Sequence, residues 1–503
     1  MKWRSCLGLA LMTAGAAMAG ELDIRVTDEK GKPLWTRLEV RGPGDKMFQA
    51  RGAIVDKTAG KRPGGVPWYL GSFVVSGECK VEVPSGRYAV IAEHGPEYLR
   101  AEVNVDVSEG PKLVSIRLKP WIRMRERGWW SGDMHVHRPP EDAAALAQAE
   151  DLNVTVLTTM WNKRDLWAGK PLPDSVIQVS PNHLVTLRNA EDERGGGAWM
   201  LNSLSERLAN LAVDGRWYPP GIVFVREARA QKKAGAVLPW FDCEKPIWWE
   251  VPVMMALEPP DSFGVLHNHF NQYGIHDSEA WGRPRDQNKY PDKAGFVEYV
   301  VGLYYRYLNL GFRLPPSAGS ASGVLPGPVG YSRVYAKLPG ALSREAWYQA
   351  LRDGQVFVTN GPMLFFTAKQ QGSKLKATVE IEAREPIDRV ELIANGKVVQ
   401  VERVAGEIRK FRREFVIDVA NHSWVAARCF VRNQWTIRMA HSAPVYLPGS
   451  YDASADAQYF IGWMDELIAQ TGKDPKQFAT GSERDEVLAL YRKARAFYQQ
   501  KLK

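Results

Sequence analysis

The chain has 503 residues, with 66 lysines and arginines against 57 aspartates and glutamates and a formal charge of +9. That length is too great for one core and implies three or four domains. The basic residues are interspersed with acids instead of forming blocks, which argues against nucleic acid as the main partner and leaves a weak steering effect on anionic substrates or glycans.

At the amino terminus Lys2 and Arg4 precede an apolar run from Cys6 to Met12, and the small residues that follow end in Ala17-Met18-Ala19-Gly20. This is the pattern of a secretory signal peptide, 1–19, cut after Ala19. An uncleaved anchor is the alternative, but the apolar stretch is short for a span. The mature chain would lose Lys2 and Arg4, so its charge falls from +9 to +7. It is expected to be secreted or periplasmic, with no membrane span. Cys6 leaves with the leader, and the scattered Cys79, Cys243 and Cys429 make neither a disulfide framework nor a thiolate zinc site.

Over 20–120, stretches such as Leu22-Asp23-Ile24-Arg25-Val26 and Lys80-Val81-Glu82-Val83 have the two-residue period of half-buried strands. Gly31-Lys32-Pro33 and Pro84-Ser85-Gly86 supply turns. The segment reads as a β-sandwich. Within it, Val83-Pro84-Ser85-Gly86-Arg87-Tyr88-Ala89-Val90 resembles the transthyretin-like, carboxypeptidase-regulatory-like modules of secreted enzymes, with a packing or spacing role.

From 121 to 368 strands alternate with helices. Residues 132–137 read as a strand, Pro139 and Pro140 introduce a helix over 141–150, and 153–159 read as a second strand. Repeated strand–helix–strand units make an α/β barrel or an open sheet, with active groups at the carboxyl ends of the strands. Alternation returns over 369–448, with Asn395-Gly396 as a hairpin turn, and predicts a second β-sandwich in which His441 is structural unless its strand returns to the barrel. The tail, 449–503, has the spacing of two amphipathic helices.

The chemistry concentrates in Gly132-Asp133-Met134-His135-Val136-His137. Alternate strand residues share a face, so Asp133, His135 and His137 project together, and two adjacent imidazoles suit a first-row metal. Asp133 can be a ligand or can fix an imidazole tautomer. A pair of surface histidines is the bland alternative. His267 and His269 share a face in the same way. Asp242 and Glu244 follow the apolar run 234–238 and either face the site or are solvated loop acids. Trp129-Trp130 and Trp248-Trp249 either line an aromatic or sugar-binding cleft or pack in the core. No nucleophile elbow stands out, and no Walker or dinucleotide-binding loop is present.

The Asp-x-His-x-His strand followed by an alanine-rich helix resembles the start of the PHP metallohydrolases. Leu308-Asn309-Leu310-Gly311-Phe312-Arg313-Leu314-Pro315, with Gly319-Ser320-Ala321-Ser322-Gly323 beyond it, and Gly354-Gln355-Val356-Phe357-Val358-Thr359-Asn360-Gly361-Pro362 narrow the likeness to the carbaryl-hydrolase-like (CehA/McbA) branch. The resemblance implies an α/β fold with a distorted (β/α)7 barrel, here flanked by N- and C-terminal β-sandwiches and a short helical tail. It also implies divalent metal, zinc first and manganese or iron otherwise, with hydrolysis by a metal-activated water. Carried over by position, His135, His137 and Glu191, with one or both of His267 and His269, are the metal ligands; the residues themselves offer Asp133 or Glu193 as general base. The sequence departs from that pattern at Thr159-Met160-Trp161, Gly197-Ala198 and Gly319-Ser320-Ala321, where the branch has further metal ligands, so a single metal is expected. The expectation is therefore an exported hydrolase acting on an amide, carbamate or phosphoester bond of a small-molecule or glycan substrate. The alternative is a secreted, non-catalytic binding protein, with glycans as candidate ligands.

Overall fold

In the computed structural model, residues 19–55, 60–61, 67–68, 71–108, 110–162, 164–194, 196–208, 211, 216–231, 239–325, 327–420, 422–473 and 477–502 are described. The leader segment 1–18 and the apolar run 234–238 lie outside the described residues.

The first strand, Ala19–Thr27, runs parallel to Gly110–Arg117 and antiparallel to Glu78–Pro84. A second sheet is ordered Ala101–Val107, Gly86–Glu93, Trp35–Arg41, Phe73–Ser76, Ile54–Val55. Leu22, Ile24, Val26, Leu38, Val81, Tyr88 and Val90 fill the space between the two, because alternate side chains of each strand face inward. Arg37, paired with Glu93 of its own sheet (2.7 Å), ties this unit to the body through Glu150 (2.6 Å). These groups are buried or nearly so, and removing one partner of such a pair costs roughly 3–5 kcal/mol.

The seven-fold strand–helix barrel expected for 121–368 does not form as such. The described residues of this segment contribute instead to two large mixed sheets and form five α-helices. The loop lengths explain the difference. Parallel neighbours need crossovers of a dozen or more residues, but only two residues separate Ala190–Arg194 from Gly197–Asn202, so these strands turn back as an antiparallel pair. Gly197–Asn202 then pairs antiparallel with Trp240–Cys243. Parallel pairing resumes only from Trp240–Cys243 to Ser262–Leu266 and Pro316–Ala318.

The other sheet centres on Trp129–Val136, here called the histidine strand. It runs parallel to Val154–Leu157, itself parallel to His183–Thr186, and antiparallel to Arg333–Lys337. Two segments carry the chain from this sheet into the other: 158–159, leading to Met160–Trp161, and 187–189, leading to Ala190–Arg194. An isolated bridge pairs Val136 with Ser322, four residues beyond the strand Pro316–Ala318. One core spans both, with Met134, Val154 and Val156 from the first and Ala190, Leu201, Trp240 and Val265 from the second.

The strands beyond 369 form two layers packed about one core, with Leu375, Val379 and Ile381 from one and Val390, Leu392 and Cys429 from the other, and the second layer is continuous with the histidine-strand sheet. Met363–Gln371, Lys374–Glu382 and Lys410–Asp418 form a three-stranded sheet. Ile387–Ala394, Lys397–Arg403, Trp424–Val431 and Arg438–Ser442 extend the histidine-strand sheet through Val356–Thr359. Asn395 (φ 49°) and Gly396 (φ 76°) make the turn between Ile387–Ala394 and Lys397–Arg403. Both positive φ values suit Asn-Gly in a two-residue hairpin. His441 hydrogen-bonds to the Tyr305 hydroxyl (2.8 Å) and the Ser442 carbonyl (2.7 Å), which makes it structural.

Two long helices end the chain. Ser454–Lys473 and Gly481–Gln500 bury Phe460, Trp463, Leu467, Val487, Tyr491 and Tyr498, and a capping box of Thr480 and Glu483 opens the second. The Tyr498 hydroxyl donates to the Pro252 carbonyl (2.7 Å), and Tyr491 donates to Glu250. Among the described residues no helix is long and apolar enough to cross a membrane.

Candidate metal centre

The histidine strand brings its chemistry out at its carboxyl end. His135 is its penultimate residue and His137 follows it directly. Their Nε2 atoms stand 2.7 Å apart. Glu191, from Ala190–Arg194, completes a buried group. Its Oε2 lies 3.1 Å from His135 Nε2 and 2.9 Å from His137 Nε2. These three residues form a set whose donor atoms all fall within 4.8 Å of one another.

The segment 319–323 forms a wall along this strand. Ala321 N–H donates to the His135 carbonyl and His137 N–H to the Ser322 carbonyl, both at 2.8 Å. Gly319 is required by the close approach, since a Cβ there would stand 2.6 Å from that of His135. Asp133 faces this wall. Its carboxylate accepts from Ser320 N (3.0 Å), Ser320 Oγ (2.5 Å), Gly330 N (2.7 Å) and His135 N (3.0 Å). Four donors occupy it, so it anchors the wall to the strand instead of reaching a substrate.

Outside the three lies a belt of charge. Glu244, immediately after Trp240–Cys243, places Oε1 3.3 Å from His135 Nδ1 and Oε2 2.8 Å from Lys245 Nζ. Lys245 also meets Glu193 at 3.2 Å. Glu193 shares the inward face of its strand with Glu191 and is the more exposed of the two carboxylates. Asn162 holds this strand by accepting from Glu193 N (2.9 Å) and donating to the Glu193 carbonyl (2.7 Å). Trp161 lies against His137, with ring centroids 4.5 Å apart.

Electrostatics follow from burial and neighbours. Burial alone would lower the His135 pKa, but Glu191 and Glu244 override it and push it up to about 10. Burial opposes the charge on Glu191, yet the two imidazoles hold its carboxyl well below the usual range. Glu244 is likewise depressed against its burial by Lys245 and His135. Glu193 moves the other way, raised by burial and by Glu191 despite Lys245. Asp242, buried and accepting from Ser262 and Ser317, is pushed up to about 6.

His267 and His269 are not drawn into the group of three. Both are buried just beyond Ser262–Leu266, with ring centroids 5.0 Å apart. His269 uses Nδ1 on the His276 carbonyl (3.1 Å) and stacks on Phe296, which marks a packed position. His267 is held neutral, its pKa lowered to about 4 by burial, and its buried Nε2 has no hydrogen-bond partner.

Buried polar atoms normally find partners. Glu191 Oε1 and His267 Nε2 have none. Two imidazoles, a carboxylate and an outer carboxylate on His135 Nδ1 match how first-row divalent metals are held and oriented. The residues fit such an ion, and they do not by themselves select zinc over manganese or iron.

Lys245 was not singled out from the sequence, and Trp161 was read there only as a departure. For Glu244 a signal existed: it lies two residues after Asp242 along the strand direction, at the carboxyl end where such sites collect. The tryptophan pairs do not line a cleft. Trp130 and Trp248 are buried, Trp129 packs on Phe357 and Phe365, and Trp249 packs on Trp463.

No protein-family model matches the chain, and no curated protein matches it. Among solved structures, a pilus-presented adhesin aligns at 11% identity and a TM-score of 0.13, over 22% of this chain and 28% of its own, a likeness that carries no argument.

Proposed function

We propose that the protein is a metal-dependent hydrolase, exported from the cell, that cleaves an amide, carbamate or phosphoester bond. The observation that carries this reading is the convergence of His135 Nε2, His137 Nε2 and Glu191 Oε2 within hydrogen-bonding distance of one another in a buried place. The Asp133-x-His135-x-His137 pattern, which resembles that of PHP metallohydrolases, supports the same chemistry. The three residues would hold a divalent cation, which would supply Lewis acidity and lower the pKa of a water at the site to about 7.

The chain's own groups account for the rest. Glu244 orients His135 from the Nδ1 side, so that Nε2 faces Glu191 and His137. Glu193, only partly buried and with its pKa raised, is the carboxyl suited to take a proton and return it. Trp161 covers His137 and limits water there.

The test is elemental analysis of the purified protein beside a His135→Ala, His137→Ala double variant. It is followed by assays on p-nitrophenyl esters, carbamates and phosphoesters, with and without chelator. About one equivalent of zinc, manganese or iron, lost in the variant, together with chelator-sensitive turnover, is the expected result. Bound metal with no turnover on any of these substrates would point to a binding protein. Absence of metal after reconstitution would overturn the metal reading.

A further inference from the structure

Lys245 is a buried ammonium lodged among the acids of this site. Its side chain is 3% exposed, between Glu244 Oε2 at 2.8 Å and Glu193 Oε1 at 3.2 Å, with the ring of Trp248 on another side at 5.1 Å. Burying a lysine is costly unless it is fully paired, and here both partners belong to the belt around the metal group. We infer that Lys245 is a built-in second cation: its ammonium takes the place between Glu193 and Glu244 where a second metal would bind, and so limits the centre to one divalent ion. The inference rests on the metal reading of His135, His137 and Glu191.

Charge balance argues for it. Glu191, Glu193 and Glu244 contribute three negative charges and Lys245 one positive, and with neutral imidazoles the sum is −2. One divalent cation cancels that sum, whereas two would leave +2 in a buried place, a state that desolvation disfavours strongly. The other nearby acids do not alter the count at this position. Asp133 and Asp242 keep their charges but direct them away from the gap between Glu193 and Glu244, Asp133 toward Ser320, Gly330 N–H and His135 N–H and Asp242 toward the Ser262 and Ser317 hydroxyls. Without Lys245, Glu193 and Glu244 would be two unneutralised carboxylates bordering Glu191, which is a second oxygen-rich cation site.

The test is metal stoichiometry, read independently of activity. Wild type, Lys245→Met and Lys245→Arg are stripped with chelator, reloaded with Zn2+ and dialysed, and their metal is counted by plasma mass spectrometry, with circular dichroism to check folding. The expected result is about one equivalent in wild type and Lys245→Arg, and about two in Lys245→Met. One equivalent in both wild type and Lys245→Met would overturn the inference and leave the metal centre standing. Zero in all three would overturn the metal reading as well. The wild type alone also decides, should Lys245→Met not fold. Saturated with Mn2+, it should give the electron paramagnetic resonance spectrum of isolated ions, and an exchange-coupled spectrum would overturn the inference.

Discussion

His135 and His137 bring their Nε2 atoms to 2.7 Å of each other, while the opposite nitrogen of His135, Nδ1, lies 3.3 Å from Glu244. A carboxylate this close to Nδ1 favours a proton on that nitrogen, which leaves Nε2 as the side that faces Glu191 and His137.

Glu244→Gln should therefore weaken metal binding by about 10- to 100-fold, the usual effect of losing such an outer partner. Competition against a chromophoric chelator measures it. Unchanged affinity would mean that Glu244 does not orient His135.

Asp133→Asn should lower stability by about 1–3 kcal/mol, because an amide group cannot accept from all four donors that the carboxylate satisfies. Thermal unfolding reads this, and bound metal should persist in the folded variant. If turnover fell with no change in melting temperature, Asp133 would be acting on the substrate instead of on the wall.

Gly319→Ala should perturb the centre without touching any polar atom. The new methyl would press on His135 Cβ from 2.6 Å, and overpacking of this kind costs about 1–3 kcal/mol. The expected outcome is a folded protein with reduced metal affinity. Full affinity would show that the wall yields freely.

Acid stability should report on Glu250, which receives the Tyr491 hydroxyl of the last helix. Burial pushes its carboxyl up from 4.5 to about 7, against Tyr491 and Arg194, which favour the anion. The folded state thus holds this proton more tightly than the unfolded chain. The resulting stabilisation is full below about pH 4.5 and is lost as pH rises through about 7. Glu250→Gln has no such loss, so its melting temperature should gain on wild type between pH 4.5 and 8. The underlying difference is on the order of 3 kcal/mol. Parallel profiles for the two proteins would show that Glu250 does not titrate in this window.

The sequence alone was enough for whatever depends on neighbours along the chain. Alternation put Leu22, Ile24 and Val26 on one buried face, and it put His135 and His137 together, because a strand's period of two is a property of the backbone. Asn395-Gly396 declared its turn, and the apolar spacing of the tail declared its helices, for equally local reasons. What the tertiary structure alone decided was pairing. The same strands are compatible with a ring of parallel units or with two mixed sheets, and the outcome turned on how 190–202 folds back and on Arg438–Ser442 joining Val356–Thr359. The partners of His135 are set the same way. Glu191 lies 56 residues away, and Glu244 with Lys245 further still. Charges that distant meet only once the sheets have closed, so neither the anchoring of Asp133 nor the ammonium beside the metal group is written in any local pattern.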